Sequence, residues 1–209
     1  MQTLANPNML DIYSPGGIYH GGSQMWYPIF WWRLAGCGPV SASNIMWYLS
    51  RSNSGLKKLW DADDASKRSF MSLMKRMYHY VTPGMRGVNR TEMLTDGVLR
   101  YAESRGEKLN ANVLEIPEDT ALRPTADEVS RFITSALKND LPIAFLNLSN
   151  GNVKNLDNWH WVTIIGFDEK SMTAQISDQG KKLNIDLALW LNATTIGGGF
   201  VFFSESENQ

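Results

Sequence analysis

The feature that most constrains this chain is a change of hydrophobic period near residue 141. Before it, apolar side chains recur every three or four positions, the spacing of one buried helix face. Ala42, Ile45, Met46 and Leu49 follow Gly38 in this way, and Pro39 suits a first helical turn. Phe70, Leu73, Met74, Met77 and Tyr78 form a second stripe after Asp61, Asp63 and Asp64. A third helix is expected from near Asn89, with Glu92 placed for a capping box, to a stop before Gly106. A fourth starts at the capping-box pair Thr125 and Glu128 and buries Val129, Phe132, Ile133, Ala136 and Leu137.

After the change, short apolar or alternating runs predict strands over Pro142 to Leu148, His160 to Phe167, Met172 to Asp178, Lys182 to Trp190 and Phe200 to Phe203. Helices first and strands second predict an α+β fold with an antiparallel sheet beside a helical half. The expected organisation is a single domain over 1–209. A coil-like leader, 1–25, is rich in Gly and Pro; a mainly helical half follows at 36–140 and a β half at 141–204.

Composition narrows the partners. The net charge is −1, which favours neither nucleic acid nor an anionic membrane. One cysteine excludes an internal disulfide, so folding needs no oxidising compartment. Met1 to Ser14 carries no Lys or Arg and no apolar core segment, so no secretory signal is visible and a cytoplasmic protein is expected. Trp26 to Trp32, the most apolar window, is too short to span a bilayer. The sequons at Asn89, Asn147 and Asn192 are taken as chance. One cysteine and three scattered histidines do not suggest a zinc site. Around Asp61 a calcium loop would need Gly and Glu where Ser66 and Ser72 stand. No Gly-x-Ser-x-Gly elbow occurs, and Gly197 to Gly199 precede a strand rather than a helix. No metal or organic cofactor is expected.

The single cysteine stands in Gly36-Cys37-Gly38-Pro39, at the start of the first expected helix. A free thiol is mostly protonated at neutral pH, and a helix N-terminus favours its anion through unpaired N–H groups and the helix dipole. The flanking glycines, Gly36 and Gly38, allow close approach of a substrate backbone. The Cys37 N–H would sit where it can donate to an oxyanion. The plainer alternative is a small buried hydrophobe.

A catalytic cysteine needs a histidine and a group to hold it. His20 lies in the leader and His79 at a helix end, whereas His160 opens a strand between Trp159 and Trp161. If Asp168, Glu169 and Lys170 form a hairpin loop, Phe167 pairs with Ser171, and the same register sets His160 directly opposite Asp178. The alternatives are an ordinary strand histidine and a turn aspartate in Ser177-Asp178-Gln179-Gly180.

Gly36-Cys37-Gly38-Pro39, then His160-Trp161-Val162-Thr163-Ile164-Ile165-Gly166-Phe167-Asp168, then Ser177-Asp178, resemble the papain-like cysteine peptidases. Within them the likeness is to the bacteriocin-processing, double-glycine leader peptidase branch. The resemblance covers about 24–50 and 159–180. It implies a papain-like fold with a cleft between the halves, and a peptide or amide substrate cleaved through a thioester on Cys37. His160 would be the proton carrier and Asp178 its orienting partner. It also implies a Gln about six residues before the cysteine as a second oxyanion donor, but Trp31 stands there. Gln24, thirteen residues upstream, is the nearest candidate, and the Trp32 indole is a further one. Trp159 and Trp161 are candidate cleft residues. An acyltransferase or transpeptidase, or a peptide-binding domain without catalysis, uses the same scaffold.

Overall fold

In the computed structural model, residues 1–61 and 64–206 are described; Asp63, expected before the second helix, lies outside them. The elements run β1 (Gln2–Thr3), β2 (Asp11–Ser14), β3 (Gly17–His20), α1 (Phe30–Ala35), α2 (Cys37–Ser52), α3 (Lys67–Tyr80), α4 (Thr91–Ser104), β4 (Leu109–Ile116) and α5 (Ala126–Lys138). They continue with β5 (Ile143–Asn147), β6 (His160–Asp168), β7 (Thr173–Asp178), β8 (Lys181–Asp186), α6 (Leu187–Ala193) and β9 (Gly198–Glu205). Six strands form an antiparallel sheet in the order β4-β9-β5-β6-β7-β8, and β1 pairs with the far end of β6. The fold is α+β, helices packed beside an antiparallel sheet.

Helix α2 is buried from Cys37 to Ser50, which suits a helix enclosed on all sides. It packs on β6 and meets that strand through polar groups as well as apolar ones. Ser41 Oγ donates to Val162 O at 3.2 Å, and Asn44 Nδ2 donates to Thr163 Oγ1 at 3.1 Å. The other end of the Asn44 amide accepts from Gly22 N at 2.9 Å. One side chain thus joins the helix, the sheet and the leader.

The leader is not coil. Its β2–β3 hairpin and β1 are paired strands, and His20 grips the β7–β8 turn: its N–H donates to Gly180 O at 2.8 Å and its carbonyl accepts from Ser177 Oγ at 2.6 Å. These pairings join distant segments, so no local period announces them. Two other expectations change. The expected strand over Lys182 to Trp190 ends at Asp186, whose carboxylate caps α6 by accepting from Leu189 N at 2.8 Å. The 36–140 half includes an eight-residue strand, β4, on the sheet edge beside β9. The capping box at Thr125 and Glu128 is present, whereas Arg90 precedes α4 without a side-chain cap and Glu92 lies in its first turn.

Asn44→Ala leaves the buried Gly22 N–H without its partner, while the Thr163 hydroxyl keeps Ser41 Oγ at 3.1 Å, and a loss of about 1–3 kcal/mol follows. Urea denaturation measures it; a midpoint unchanged from wild type would contradict the joint role of Asn44.

Candidate active site

The site begins with a register. β6 and β7 are joined by a four-residue loop, 169–172, rather than three, and Asp168 pairs with Thr173. A bulge lies between Ile164 and Gly166, after which Ile164 meets Ile176 and Thr163 meets Ser177. The extra residue decides which side chains share a face. Continued one step, this register sets Asp178 across from Val162, on the face of His160; without the bulge it would set Asp178 across from Thr163, on the other face. His160 and Asp178 are therefore diagonal neighbours, not the directly opposed pair expected from a three-residue loop. Their side chains still meet, with His160 Nε2 and Asp178 Oδ1 2.8 Å apart. Asp178 is also the turn residue of the plainer description: Gln179 and Gly180, both at positive φ, make the tight β7–β8 hairpin.

Cys37 is the first residue of α2, and Gly36 precedes it with no side-chain cap. Cys37 and the His160 ring line the same narrow cavity, close enough for the thiol to raise the pKa of the ring. With Nε2 engaged by Asp178, Nδ1 is the nitrogen left for the sulfur. Cys37 Sγ also stands 4.0 Å from Trp159 O. Burial lowers the pKa of His160, but the hydrogen bond to Asp178 and the neighbouring Cys37 together outweigh it and raise the pKa to about 10.

Gln24 reaches the same place. It lines a narrow cavity with Cys37, Asn44, His160, Asp178 and Gln179. Its Oε1 is buried with no hydrogen-bond partner among the described residues, an uncommon state for an amide. The route explains the long spacing. Gly21, at φ 80°, passes so near Asn44 and Ser177 that a Cβ there would lie 2.2 Å from Ser177 Oγ. Gly22 is confined in the same way by Phe70. Ser23 Oγ then donates to Gln179 Oε1 at 2.6 Å, tying the leader to the turn that carries Asp178. Helix α1 fills the remaining distance to Cys37. Asn44, Ser23 and Gln179 were not singled out from the sequence; the Gly21-Gly22 pair just before Ser23 and Gln24 was the available signal.

The other candidates divide. Trp159, at φ 55° and 45 % exposed, lines an open groove of about 610 Å³ that also borders Cys37. Trp31, in the place of the expected Gln, lines it too. Trp161 is buried, lines the narrow cavity and donates its indole N–H to Val88 O, so it holds a neighbouring loop rather than the groove. Gly38 packs against Val88, where a Cβ would lie 2.8 Å from Val88 Cβ. Gly36 is required beneath Trp32 O and the Tyr27 ring, at 2.3 and 2.6 Å from a Cβ. Both glycines are therefore required for close packing around Cys37. Trp32 stacks on Tyr78 at 4.1 Å and lies apart from the cavity around Cys37. Among the described residues no three His, Cys, Asp or Glu side chains converge as a metal site, and no helix is long and apolar enough to cross a membrane.

No family model and no curated protein matches the chain. Among solved structures it is similar to the crystal structure of a double glycine motif protease from an AMS/PCAT transporter in complex with the leader peptide. That likeness covers 99% of each chain at 16% identity and a TM-score of 0.43.

The raised His160 pKa has a testable sign. A group whose folded pKa lies above its unfolded value stabilises the fold fully below the unfolded pKa of about 6.5, and that stabilisation is lost as pH rises through the folded value. The urea midpoint of the wild type is expected to fall between pH 7 and 10, and Asp178→Asn to flatten that fall while lowering the His160 pKa in an NMR titration. A His160 titration unaffected by the substitution would show that Asp178 does not hold the imidazolium.

Proposed function

We propose that this chain is a papain-like cysteine peptidase or amidase. The observation that carries the reading is the assembly around one sulfur: Cys37 at the start of α2, beside a histidine ring whose far nitrogen is 2.8 Å from a carboxylate. In a proton-linked pair of this kind the imidazolium stabilises the thiolate.

The Cys37 thiolate attacks the carbonyl carbon of an amide, and the π electrons move to oxygen. The Cys37 N–H and the amide of Gln24 donate to that oxyanion. As the oxyanion collapses, the C–N bond breaks and His160 gives its proton to the leaving amine, producing a thioester. His160, now neutral, takes a proton from water, whose oxygen attacks the thioester and releases the acid and the thiolate. Asp178 keeps Nε2 engaged through both steps, so the nitrogen facing sulfur handles the proton. Gln24, brought back by the leader, answers the absence of Gln at the position of Trp31 and favours catalysis over peptide binding alone.

Peptide turnover is expected to be abolished by Cys37→Ala and by His160→Ala. Gln24→Ala should lower kcat about 10²- to 10³-fold with little change in KM, the loss typical of one oxyanion donor. Intact-mass detection of a thioester on quenched wild-type enzyme checks the intermediate. A library of peptides left uncut by folded wild type, with no mass adduct, would defeat the peptidase reading. An adduct transferred in preference to an added amine would favour transpeptidation.

A further inference from the structure

The groove beside Cys37 is apolar on several sides. Trp31 and Leu34 come from α1, Met85 from the loop after α3, Leu148 from the end of β5, and Trp159 from the residue before His160. These side chains are unusually available: Trp31 is 48 %, Leu34 58 % and Met85 95 % exposed. Such a surface at the mouth of a reactive site is covered by a ligand rather than by the fold.

One charged side chain lines this wall, that of Arg86. The loop that carries it has a fixed backbone, with Arg86 exposed at its tip. Gly84 and Gly87 exchange backbone hydrogen bonds at 3.1 and 3.0 Å, with Gly87 at φ 69°, so Met85 and Arg86 form the tip of a tight turn. The base of the turn is fixed by the Trp161 indole on Val88 O and by the contact of Val88 with Gly38, the residue next to Cys37. Among the described residues Arg86 forms no ion pair, and no Asp or Glu lines the groove. A guanidinium set in an apolar wall presents a planar fork of donors to which a carboxylate is the matching group.

We infer that the groove selects a peptide carrying a bulky apolar side chain beside the scissile bond and a carboxylate within reach of Arg86. The inference deepens the peptidase reading and rests on it for the identity of the ligand as a peptide. Trp31, Met85 and Trp159 enclose the apolar side chain, and Arg86 pairs with the carboxylate, which lies partly shielded from water once the peptide covers the turn.

The test uses binding, so that it stands apart from turnover. Fluorescently labelled peptides with Leu or Phe at the variable apolar position are titrated against the full-length Cys37→Ala variant by anisotropy. One series carries an internal Glu and an amidated C-terminus, a second a free C-terminal carboxylate without Glu, and a third neither. The carboxylate-bearing peptides are expected to bind about tenfold tighter than the neutral ones, the size of a charge-assisted hydrogen bond. The better of the first two series identifies the source of the carboxylate. Arg86→Gln should erase the difference, and Arg86→Glu should turn it into a preference for Lys. Raising the salt should narrow the preference, and Trp159→Ala should weaken every series together. Equal binding of acidic and neutral peptides, or a preference untouched by Arg86→Glu, overturns the inference. Acid-selective binding by the Cys37→Ala variant without turnover by the wild type keeps the inference and defeats the peptidase reading.

Discussion

A single extra residue in β6 governs the arrangement around Cys37. The bulge between Ile164 and Gly166 corrects the face on which β7 presents its end, and so lets Asp178 reach His160. The same stretch of β6 carries Val162 and Thr163, on which Ser41 and Asn44 of α2 are anchored. The strand therefore fixes both partners. It sets the imidazole against its carboxylate, and it sets the helix whose first residue is the thiol. A shift of one residue would leave each strand intact and separate the groups.

The leader adds a third component to that frame. Its hydrogen bonds fall on the turn bearing Asp178 and on Asn44, through His20, Gly22 and Ser23. A segment tied to both α2 and the β7–β8 turn carries Gln24 with it. The long spacing between Gln24 and Cys37 is then the length of a detour through α1, which in turn supplies the apolar wall of the groove. The same helix carries the exposed Trp31 and Leu34.

What could be read from the sequence follows the range of the interactions. The Thr125–Glu128 capping box is local, three residues wide, and stands as expected. So do the buried stripe of α3 and the apolar runs of β5 and β6, because burial on one face leaves a period in the chain. The catalytic candidates were legible by residue type and parity: Asp178 was matched to His160 by a register two residues off, which preserves the face and misplaces the contact. The rest depends on partners far apart in the chain. Gln2 pairs with Phe167, and Asp11–Ser14 fold onto Gly17–His20 across only two residues, with no hydrophobic alternation to mark the strands. β4 alternates weakly, since an edge strand has little buried surface to declare it. The turn displaying Arg86 had its own signal, Pro83-Gly84 and Gly87, in a segment that carried no recognisable motif.

The central claim is that Cys37 and His160 act as one proton-linked pair held by Asp178. The direct measurement is the rate of Cys37 alkylation by iodoacetamide from pH 5 to 9, in the wild type and in folded His160→Ala. At pH 6 the wild type is expected to alkylate at least about tenfold faster than His160→Ala, as loss of an ion-pairing imidazolium requires. Superimposable profiles for the two proteins would contradict it.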